Sequence, residues 1–382
     1  MLKTSRNGDV KRPKLSSMIF LMGVACLILT RRCRQMPLVL CLAVFAVSCS
    51  RTQLPSVGQS GTNIFQAVTI YNLEPRRDVT GGIIDAHDGC LQFFEGRFYL
   101  YGTAYGNSDG YDFTNHYRVY SSPDLGRWTF AGKLLKDQPA GVYYRPYVVF
   151  NPNTRKYVLW YNWYPKLWEG RVGVAISDTP AGPFTVVNSN LNITGYRPGE
   201  TNLLGSRPGD GSLFVDEDGT GYYVFSSIGD KHAVRVVRLN SNYLGPVGRT
   251  SDALATDAEA PVLFRRNNLY YVLCGQCCAF CPEGGQVHVF TSTSPLGPYE
   301  PRSNINRRTD DTNAPIIAAQ QTWVAKIPLR GGPVFLWIGD RWGSAPDGIK
   351  GHDFQFWSAP LEFKPDGDIQ PLKPVGRWDI VW

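Results

Sequence analysis

Residues 172–184 read VGVAISDTPAGPF, a strand-like run that ends in a Pro/Gly turn and an aromatic residue. The same order of residue types occurs at 117–128 (YRVYSSPDLGRW) and at 287–299 (VHVFTSTSPLGPY). Apolar and aromatic runs bounded by Ser, Pro and Gly indicate a β-strand followed by a tight turn. A turn that recurs together with its flanking strand indicates a repeated structural unit.

A second strand precedes each of these three segments, and two similar strands occur elsewhere in the chain. They read RFYLY (97–101), KYVLW (156–160), GYYVF (221–225) and LYYVL (269–273), with a less regular fifth, GPVFLW (332–337). The units begin near five polar residues, at intervals of about 50 to 65 positions: Asp88, Arg145, Asp210, Glu259 and Gln320. Units of this length with about four strands are typical of propeller blades. The sequence therefore predicts an all-β, five-bladed β-propeller; a β-sandwich, the alternative, does not account for the repeated turn.

The charge distribution separates a leader from the body of the chain. The first 50 residues hold eight of the 39 basic residues and one of the 32 acidic residues, so they carry the whole net charge of +7. The rest of the chain is neutral and offers no basic excess to face phosphates. Nucleic acid is therefore not an expected partner.

Two apolar segments lie within the leader, at 18–29 and 37–47, with three arginines between them. Each is too short to span a bilayer and has the length of a signal-peptide apolar region. We predict a signal peptide or signal anchor at 1–50, a linker at 51–65 and a propeller at 66–382, in a protein that is secreted or enters the secretory pathway. The alternatives are a type II membrane anchor that uses both segments, and lipidation at Cys49. Membrane contact is expected only through this leader.

Four of the nine cysteines lie in the leader, and the other five lie in the predicted propeller: Cys90, Cys274, Cys277, Cys278 and Cys281. Disulfides are expected in an oxidising compartment, with their pairing left open and, because five is odd, with one thiol able to stay free. Zinc ligation by the cluster at 274–281 is the alternative.

The innermost strand of every blade lines the channel of a propeller, so the starts of the five units are expected to meet at one mouth. Three carboxylates, Asp88, Asp210 and Glu259, are among these five residues. Their surroundings read DGCL (88–91), DGSLFVDEDG (210–219) and EAPVLF (259–264). These motifs resemble those of glycoside hydrolase family 43, and the resemblance covers nearly the whole chain after residue 60.

That family consists of five-bladed propellers that cleave arabinan, xylan or galactan side chains with inversion. The resemblance implies that Asp88 is the general base, that Glu259 is the general acid and that Asp210 tunes and orients the proton donor. Inversion needs a base and an acid on opposite faces of the sugar, about 6.5–9.5 Å apart, with the attacking water beside the base. Asp85 and Gln320 are the alternatives to Asp88 for positioning the attacking water.

Further segments resemble the exo-β-1,3-galactanase branch of the family: AH (86–87), RP (145–146), SR (206–207), QQTWV (320–324) and GDRW (339–342). The chain departs from that branch at two positions. It has Tyr144 where the branch has Glu, and Asp88 where the branch has Gly. The resemblance adds six candidate substrate-binding residues: His87, Tyr144, Arg145, Gln320, Arg341 and Trp342. The alternative for His87 is to fix the orientation of the base, and the alternative for Arg145 and Arg341 is to brace a carboxylate.

The resemblance implies an inverting, exo-acting glycosidase for an oligo- or polysaccharide, with β-1,3-galactan as the first candidate substrate. An α-L-arabinofuranosidase or β-xylosidase of the same family is one alternative, and a non-catalytic carbohydrate-binding propeller is another. No metal ligand is assigned and no cofactor is required, although a structural Ca²⁺ in the channel is allowed. A monomer is expected, because a closed propeller has no exposed strand edge that needs a partner.

Overall fold

The computed structural model describes residues 67–193, 208–277, 282–310 and 314–381, and these are organised almost entirely as β-strands. The described residues contain no α-helix and three short 3₁₀ turns: Ile228–Asp230, Pro282–Gly285 and Lys350–His352. Within the described ranges, no helix has the length and hydrophobicity to cross a membrane. The predicted leader and linker lie outside these ranges, so both remain predictions.

Five antiparallel sheets follow one another along the chain after a first strand, β1 (Ala67–Tyr71). Blade one consists of β2 (His87–Phe94), β3 (Arg97–Ala104), β4 (His116–Ser122) and β5 (Thr129–Lys133). Blade two consists of β6 (Val142–Asn151), β7 (Lys156–Tyr164), β8 (Arg171–Ser177) and β9 (Thr185–Asn188). Blade three consists of β10 (Pro208–Val215), β11 (Gly221–Ser227), β12 (Ala233–Leu239) and β13 (Pro246–Val247). Blade four consists of β14 (Ala258–Arg266), β15 (Leu269–Gln276), β16 (His288–Ser292) and β17 (Glu300–Asn304). Blade five consists of β18 (Gln320–Ile327), β19 (Val334–Arg341) and β20 (Phe354–Trp357), and the last strand is β21 (Arg377–Val381).

The first strands of the five sheets form a closed ring, because β2, β6, β10, β14 and β18 contact one another in that order and β18 returns to β2. The predicted five-bladed propeller is therefore confirmed. Blade five differs from the prediction of about four strands per unit, since it has three. The chain after β20 contains Pro360, Pro365, Pro371 and Pro374, and proline cannot donate a backbone hydrogen bond to a sheet. It then pairs as β21 with β1, which joins the two ends of the propeller.

The repeated turn that predicted the fold links consecutive blades. In blade two, the buried Phe184 donates its backbone N–H to the carbonyl of Leu134, which follows blade one, at 2.6 Å. Lys136 donates in return to the carbonyl of Phe184 at 3.3 Å. The aromatic residue at the end of the turn thus anchors one blade against the previous one, which gives a structural reason for its recurrence.

Each innermost strand has a register irregularity near its beginning. The breaks in pairing lie between His87 and Cys90, Tyr144 and Tyr147, Pro208 and Gly211, Glu259 and Val262, and Gln321 and Trp323. Three residues in these breaks, Asp88, Arg145 and Ala260, have positive φ angles of 50°, 52° and 54°. A bulge redirects side chains, and strained backbone of this kind gathers at functional sites. The five bulges therefore turn functional groups towards the same mouth of the channel.

The three cysteines among the described residues form no disulfide, which differs from the prediction. Cys90, Cys274 and Cys277 are free thiols. Cys90 is buried in β2 and Cys274 is buried in β15 within an apolar cluster shared by blades three and four. Because their side chains are enclosed in different parts of the core, neither can reach another described cysteine. Cys278 and Cys281 lie outside the described residues.

Candidate active site

One pocket at the channel mouth is lined by all five residues at which the sequence units begin: Asp88, Arg145, Asp210, Glu259 and Gln320. Its walls are aromatic and consist of Tyr105, Tyr111, Tyr144, Tyr164, Trp168 and Trp342. The floor is buried, since Asp88 and Arg145 are each 3% exposed, whereas Trp168 at the rim is 54% exposed. The arrangement is a pocket with charged groups at the bottom and aromatic rings in its walls.

Asp88 lies at the floor and is held by three hydrogen bonds to its carboxylate. Its Oδ1 accepts from the hydroxyl of Thr103 at 2.7 Å and from the backbone N–H of Arg145 at 3.1 Å. Its Oδ2 accepts from the hydroxyl of Tyr105 at 2.5 Å. A carboxylate has about four lone-pair sites, so the Oδ2 oxygen keeps one of them for a water molecule in the pocket. The alternative base, Asp85, instead accepts the backbone N–H groups of Tyr105 and Gly106 at 2.9 Å each and holds that loop.

The environment of Asp88 raises its pKa from 3.8 to about 6. Burial is the main cause, because it disfavours the charged carboxylate, and the negative charge of Asp340 acts in the same direction. The charge of Arg145 and the hydrogen bonds from Thr103 and Tyr105 oppose the rise. Asp88 is therefore ionised at neutral pH and has a basicity matched to accepting a proton from water.

His87 does not line the pocket, which differs from its predicted role as a substrate-binding residue. Its Nδ1 lies 3.2 Å from Oδ1 of Asp340, and the Oδ2 of Asp340 accepts the backbone N–H of Asp88 at 2.8 Å. Burial opposes a charged imidazole, but the hydrogen bond and charge of Asp340, with the charges of Asp85 and Asp88, raise the pKa of His87 to about 9. His87 is thus a cation behind the floor that positions Asp88 through Asp340.

Arg145 connects the first two carboxylates. While its backbone N–H bonds Asp88, its guanidinium Nη2 lies 3.0 Å from Oδ2 of Asp210. The same Asp210 oxygen accepts the backbone N–H of Ala260 at 3.0 Å. Since Ala260 directly follows Glu259 at the bulge of β14, Asp210 is tied to the backbone that carries the third carboxylate.

Glu259 is held from the opposite side by blade five. Its Oε1 accepts from Nε2 of Gln320 at 2.8 Å, and Oε1 of Gln320 accepts from the indole N–H of Trp342 at 2.8 Å. Trp342 also stands between the site and His87, with 5.5 Å between the two ring centroids. Both Gln320 and Trp342 line the pocket. Gln320 contacts Glu259 directly, and Trp342 contacts Gln320.

The other candidates are divided between the pocket wall and the scaffold. Tyr144 lies in the wall, stacked on Tyr164 with 4.8 Å between ring centroids. Arg341 is not among the pocket-lining residues: its Nη1 donates to the carbonyl of Asn72 at 3.3 Å, and its guanidinium lies 5.0 Å above the ring of Phe354. The predicted substrate contact of Arg341 therefore does not match its position, because blade five uses its charge to hold the N-terminal segment.

Four titratable residues that line the pocket were not identified from the sequence: Tyr105, Tyr111, Tyr164 and His232. Thr103, which bonds the carboxylate of Asp88, was not identified either. Thr103 could have been predicted from the hairpin of β2 and β3. It pairs with His87 in that hairpin and so lies close to Asp88, the expected base. Tyr111 and His232 precede strands in loops that carry no repeated motif, so nothing local in the sequence marks them.

The calcium ion allowed by the resemblance stays a prediction. Among the described residues, the three side chains with ligand atoms all within 4.8 Å of one another are His232, Glu259 and Cys277. A thiol, an imidazole and one carboxylate are a poor set for Ca²⁺, which prefers several oxygen ligands. The geometry of the described residues thus gives no side-chain cage for calcium.

The comparisons with known proteins agree with this geometry. Residues 83–327 match the family described as "Glycosyl hydrolases family 43". An arabinoxylan arabinofuranohydrolase from Paenibacillus polymyxa is 26% identical over 148 residues, which are 34% of this chain and 22% of that protein.

Two solved structures are similar over most of the propeller. A GH43 β-1,3-galactosidase superposes with a TM-score of 0.68 at 25% identity and covers 82% of this chain and 64% of its own. An exo-β-1,3-galactanase from Clostridium thermocellum superposes with a TM-score of 0.70 at 25% identity and covers 81% of this chain and 66% of its own. This chain spans less than two thirds of the length of each of these three relatives.

Proposed function

The chain belongs to glycosyl hydrolase family 43, and from this premise we propose that it is an inverting, exo-acting glycosidase whose first candidate substrate is β-1,3-galactan. The observation that carries the proposal is the meeting of Asp88, Asp210 and Glu259 in one pocket. The preference for galactan is supported by the similarity to the β-1,3-galactosidase and to the exo-β-1,3-galactanase. The arabinofuranohydrolase matches a smaller part of the chain.

The three carboxylates have environments that suit different tasks. Asp88 is buried, ionised at neutral pH and keeps one lone pair for water, as a general base requires. Glu259 is only partly buried and reaches the pocket beside Gln320. Asp210 is engaged by Arg145 and by the backbone next to Glu259, so it acts as a positioning residue.

The reaction then follows from these positions. Water held by Asp88 attacks the anomeric carbon while the bond from that carbon to the glycosidic oxygen breaks. Asp88 takes the proton of the water, and Glu259 gives its proton to the departing oxygen. Because attack and departure occur on opposite faces of the ring, a β-linked galactose is released as the α-anomer.

We expect exo-action. Asp88 and Arg145 are nearly fully buried at the bottom of the pocket and aromatic rings line it, so a chain end should reach the carboxylates more readily than the middle of a chain. The aromatic rings at the opening are suited to contact the apolar C–H faces of sugars. We therefore expect one terminal sugar to be released per binding event.

The decisive experiment measures hydrolysis of β-1,3-galactan and its oligosaccharides beside aryl β-galactosides, aryl α-L-arabinofuranosides and aryl β-xylosides. We expect galactose as the product and, by ¹H NMR during the first turnovers, its α-anomer. Release of arabinose or xylose alone would refute the galactan proposal but keep the glycosidase. A failure to hydrolyse any of these substrates would favour a non-catalytic carbohydrate-binding propeller.

The fall of kcat/KM on the acidic side of its pH profile, the acid limb, should reflect the protonation of Asp88. Because the base must be ionised and its pKa is about 6, kcat/KM should fall as the pH drops below about 6. Tyr105→Phe removes a hydrogen bond that lowers this pKa, so the limb should move to higher pH. Tyr101→Phe is the matched control, because the hydroxyl of Tyr101 bonds the carbonyl of Pro180 and not Asp88. A limb that is unchanged in Tyr105→Phe would remove Asp88 from the role of base.

The rim should contribute to the binding of longer substrates. Trp168 is 54% exposed, lines the pocket and lies against Tyr111 with 5.6 Å between ring centroids. Trp168→Ala should raise KM for galactan oligosaccharides about tenfold through lost apolar contact, with kcat little changed. Phe113→Ala is the control, because Phe113 is 58% exposed but does not line the pocket. Equal effects of the two substitutions would contradict a specific sugar contact at Trp168.

A further inference from the structure

Three different metal-binding side chains meet at the edge of the pocket, around Glu259. His232 lies directly before β12, Glu259 lies at the start of β14, and Cys277 directly follows β15. Their ligand atoms all lie within 4.8 Å of one another, and each residue is partly exposed. The carboxylate of Glu259 is thus shared between the proposed proton transfer and a cluster that this reaction does not use.

Backbone hydrogen bonds hold the three segments in place. Cys277 donates its N–H to the carbonyl of Asp257 at 2.8 Å, and Asp257 donates to the carbonyl of Lys231 at 2.8 Å. Ala258 donates to the carbonyl of His232 at 3.3 Å. The residues that carry the imidazole, the carboxylate and the thiol are therefore linked through their main chains, so the cluster is organised before any ligand arrives.

The donor set selects the kind of ion. A thiolate sulfur, an imidazole nitrogen and a carboxylate oxygen are the ligands of zinc sites, and three protein ligands leave a fourth position open. Calcium and magnesium prefer oxygen alone. Gln320 occupies one lone pair of Glu259, and a carboxylate has about four, so the carboxylate can accept a metal without losing this partner.

We propose that His232, Glu259 and Cys277 bind Zn²⁺ and that the bound ion inhibits the enzyme by occupying the proton donor. The inhibition rests on the proposed function of Glu259, whereas the binding does not. Zinc would take the place of the acidic proton on Glu259, so the leaving oxygen would depart without protonation. The ion would also fill space in the pocket next to the glycosidic bond. Chelation would reverse both effects.

Metal binding requires the thiol of Cys277 to lose its proton, and the resulting thiolate gives the site a spectroscopic signature. Burial, together with the charges of Glu259 and Asp210, raises the pKa of Cys277 to about 12, so the thiol is protonated when no metal is present. A metal must displace this proton, and the bond that forms is a metal–thiolate bond. Co²⁺ in the same site should therefore show a thiolate-to-cobalt charge-transfer band.

The test uses the full chain and needs no substrate. Zn²⁺ affinity is measured by titration calorimetry, and Co²⁺ by its absorption spectrum, for the natural sequence and for Cys277→Ala and His232→Ala. The matched controls are Cys274→Ala, a buried thiol in β15 three residues before Cys277, and His116→Ala, a histidine in blade one. We expect zinc affinity to fall about tenfold or more in the first pair and to be unchanged in the controls, with the cobalt–thiolate band lost in Cys277→Ala. Zinc affinity that is unaffected by both Cys277→Ala and His232→Ala would overturn the site.

Inhibition is then measured as the rate of each protein with zinc relative to its own rate after chelation. We expect zinc to suppress the natural sequence and EDTA to restore it, with about tenfold more zinc needed in Cys277→Ala. A protein that binds zinc through these residues but hydrolyses no glycoside would refute the proposed function and leave the metal site standing. Full hydrolysis by the zinc-saturated protein would refute the inhibition.

Discussion

Replacing Glu259 with glutamine should reduce kcat on β-1,3-galactan oligosaccharides by about 10²–10⁴-fold, the usual contribution of a general acid. The sugar oxygen is a poor leaving group and needs a proton as the bond breaks. Glutamine has the shape of glutamate and can still accept the hydrogen bond from Gln320, which is 2.8 Å long in the natural protein. The substitution therefore removes the transferable proton and leaves the surroundings nearly intact.

Substrates with different leaving groups distinguish a proton donor from a residue with any other role. Dinitrophenolate, the leaving group of a dinitrophenyl β-galactoside, departs without protonation, so Glu259→Gln should hydrolyse this substrate at close to the natural rate. The matched control is Glu217→Gln, because Glu217 lies in the exposed turn after β10, at the far end of the innermost strand, and should change neither rate. Equal losses on both substrates would show that Glu259 is not the proton donor.

The repeat made the positions of the three carboxylates predictable. Asp88, Asp210 and Glu259 stand at the same point of three units, and a propeller brings the starts of its innermost strands to one mouth. The structure places all three in one pocket because each strand bulges there. Local signals for these bulges are present in the sequence as Asp88-Gly89 and Ala260-Pro261. At Gly89 a Cβ atom would lie 2.1 Å from the carbonyl oxygen of Tyr101, so glycine is required.

The partners of these carboxylates were not predictable in the same way. Asp340 bonds the backbone of Asp88 from a strand 252 positions away, and this contact exists only because blade five closes against blade one. His87 and Arg341 were expected at the substrate because they adjoin motif residues. In a strand, however, neighbouring side chains point to opposite faces, and both residues hold the scaffold instead. Disulfides were expected among the propeller cysteines, with their pairing open, but sequence spacing does not show which face of the loop the thiol of Cys277 occupies.

Replacing Asp88 with alanine should reduce kcat/KM by about 10²–10⁴-fold on every substrate, irrespective of the leaving group. The missing step is the removal of a proton from water, which a better leaving group does not replace. This pattern is the opposite of the one expected for Glu259→Gln, so the two variants together assign base and acid. The substitution also leaves the backbone N–H of Arg145 and the hydroxyls of Thr103 and Tyr105 without their acceptor, so we expect a lower melting temperature.

Azide distinguishes loss of the base from simple loss of structure. It is an anion that attacks carbon without a proton to give up, and the space left by the carboxylate of Asp88 opens onto the pocket. With a dinitrophenyl β-galactoside, Asp88→Ala should regain activity as azide is added and should form the α-galactosyl azide, because attack still comes from the face opposite the leaving group. Asp85→Ala is the control, since Asp85 bonds two backbone N–H groups of the neighbouring loop: it should lose stability and gain nothing from azide. Azide rescue of Asp85→Ala in place of Asp88→Ala would transfer the role of base to Asp85, while a β-azide product would exclude the inverting mechanism itself.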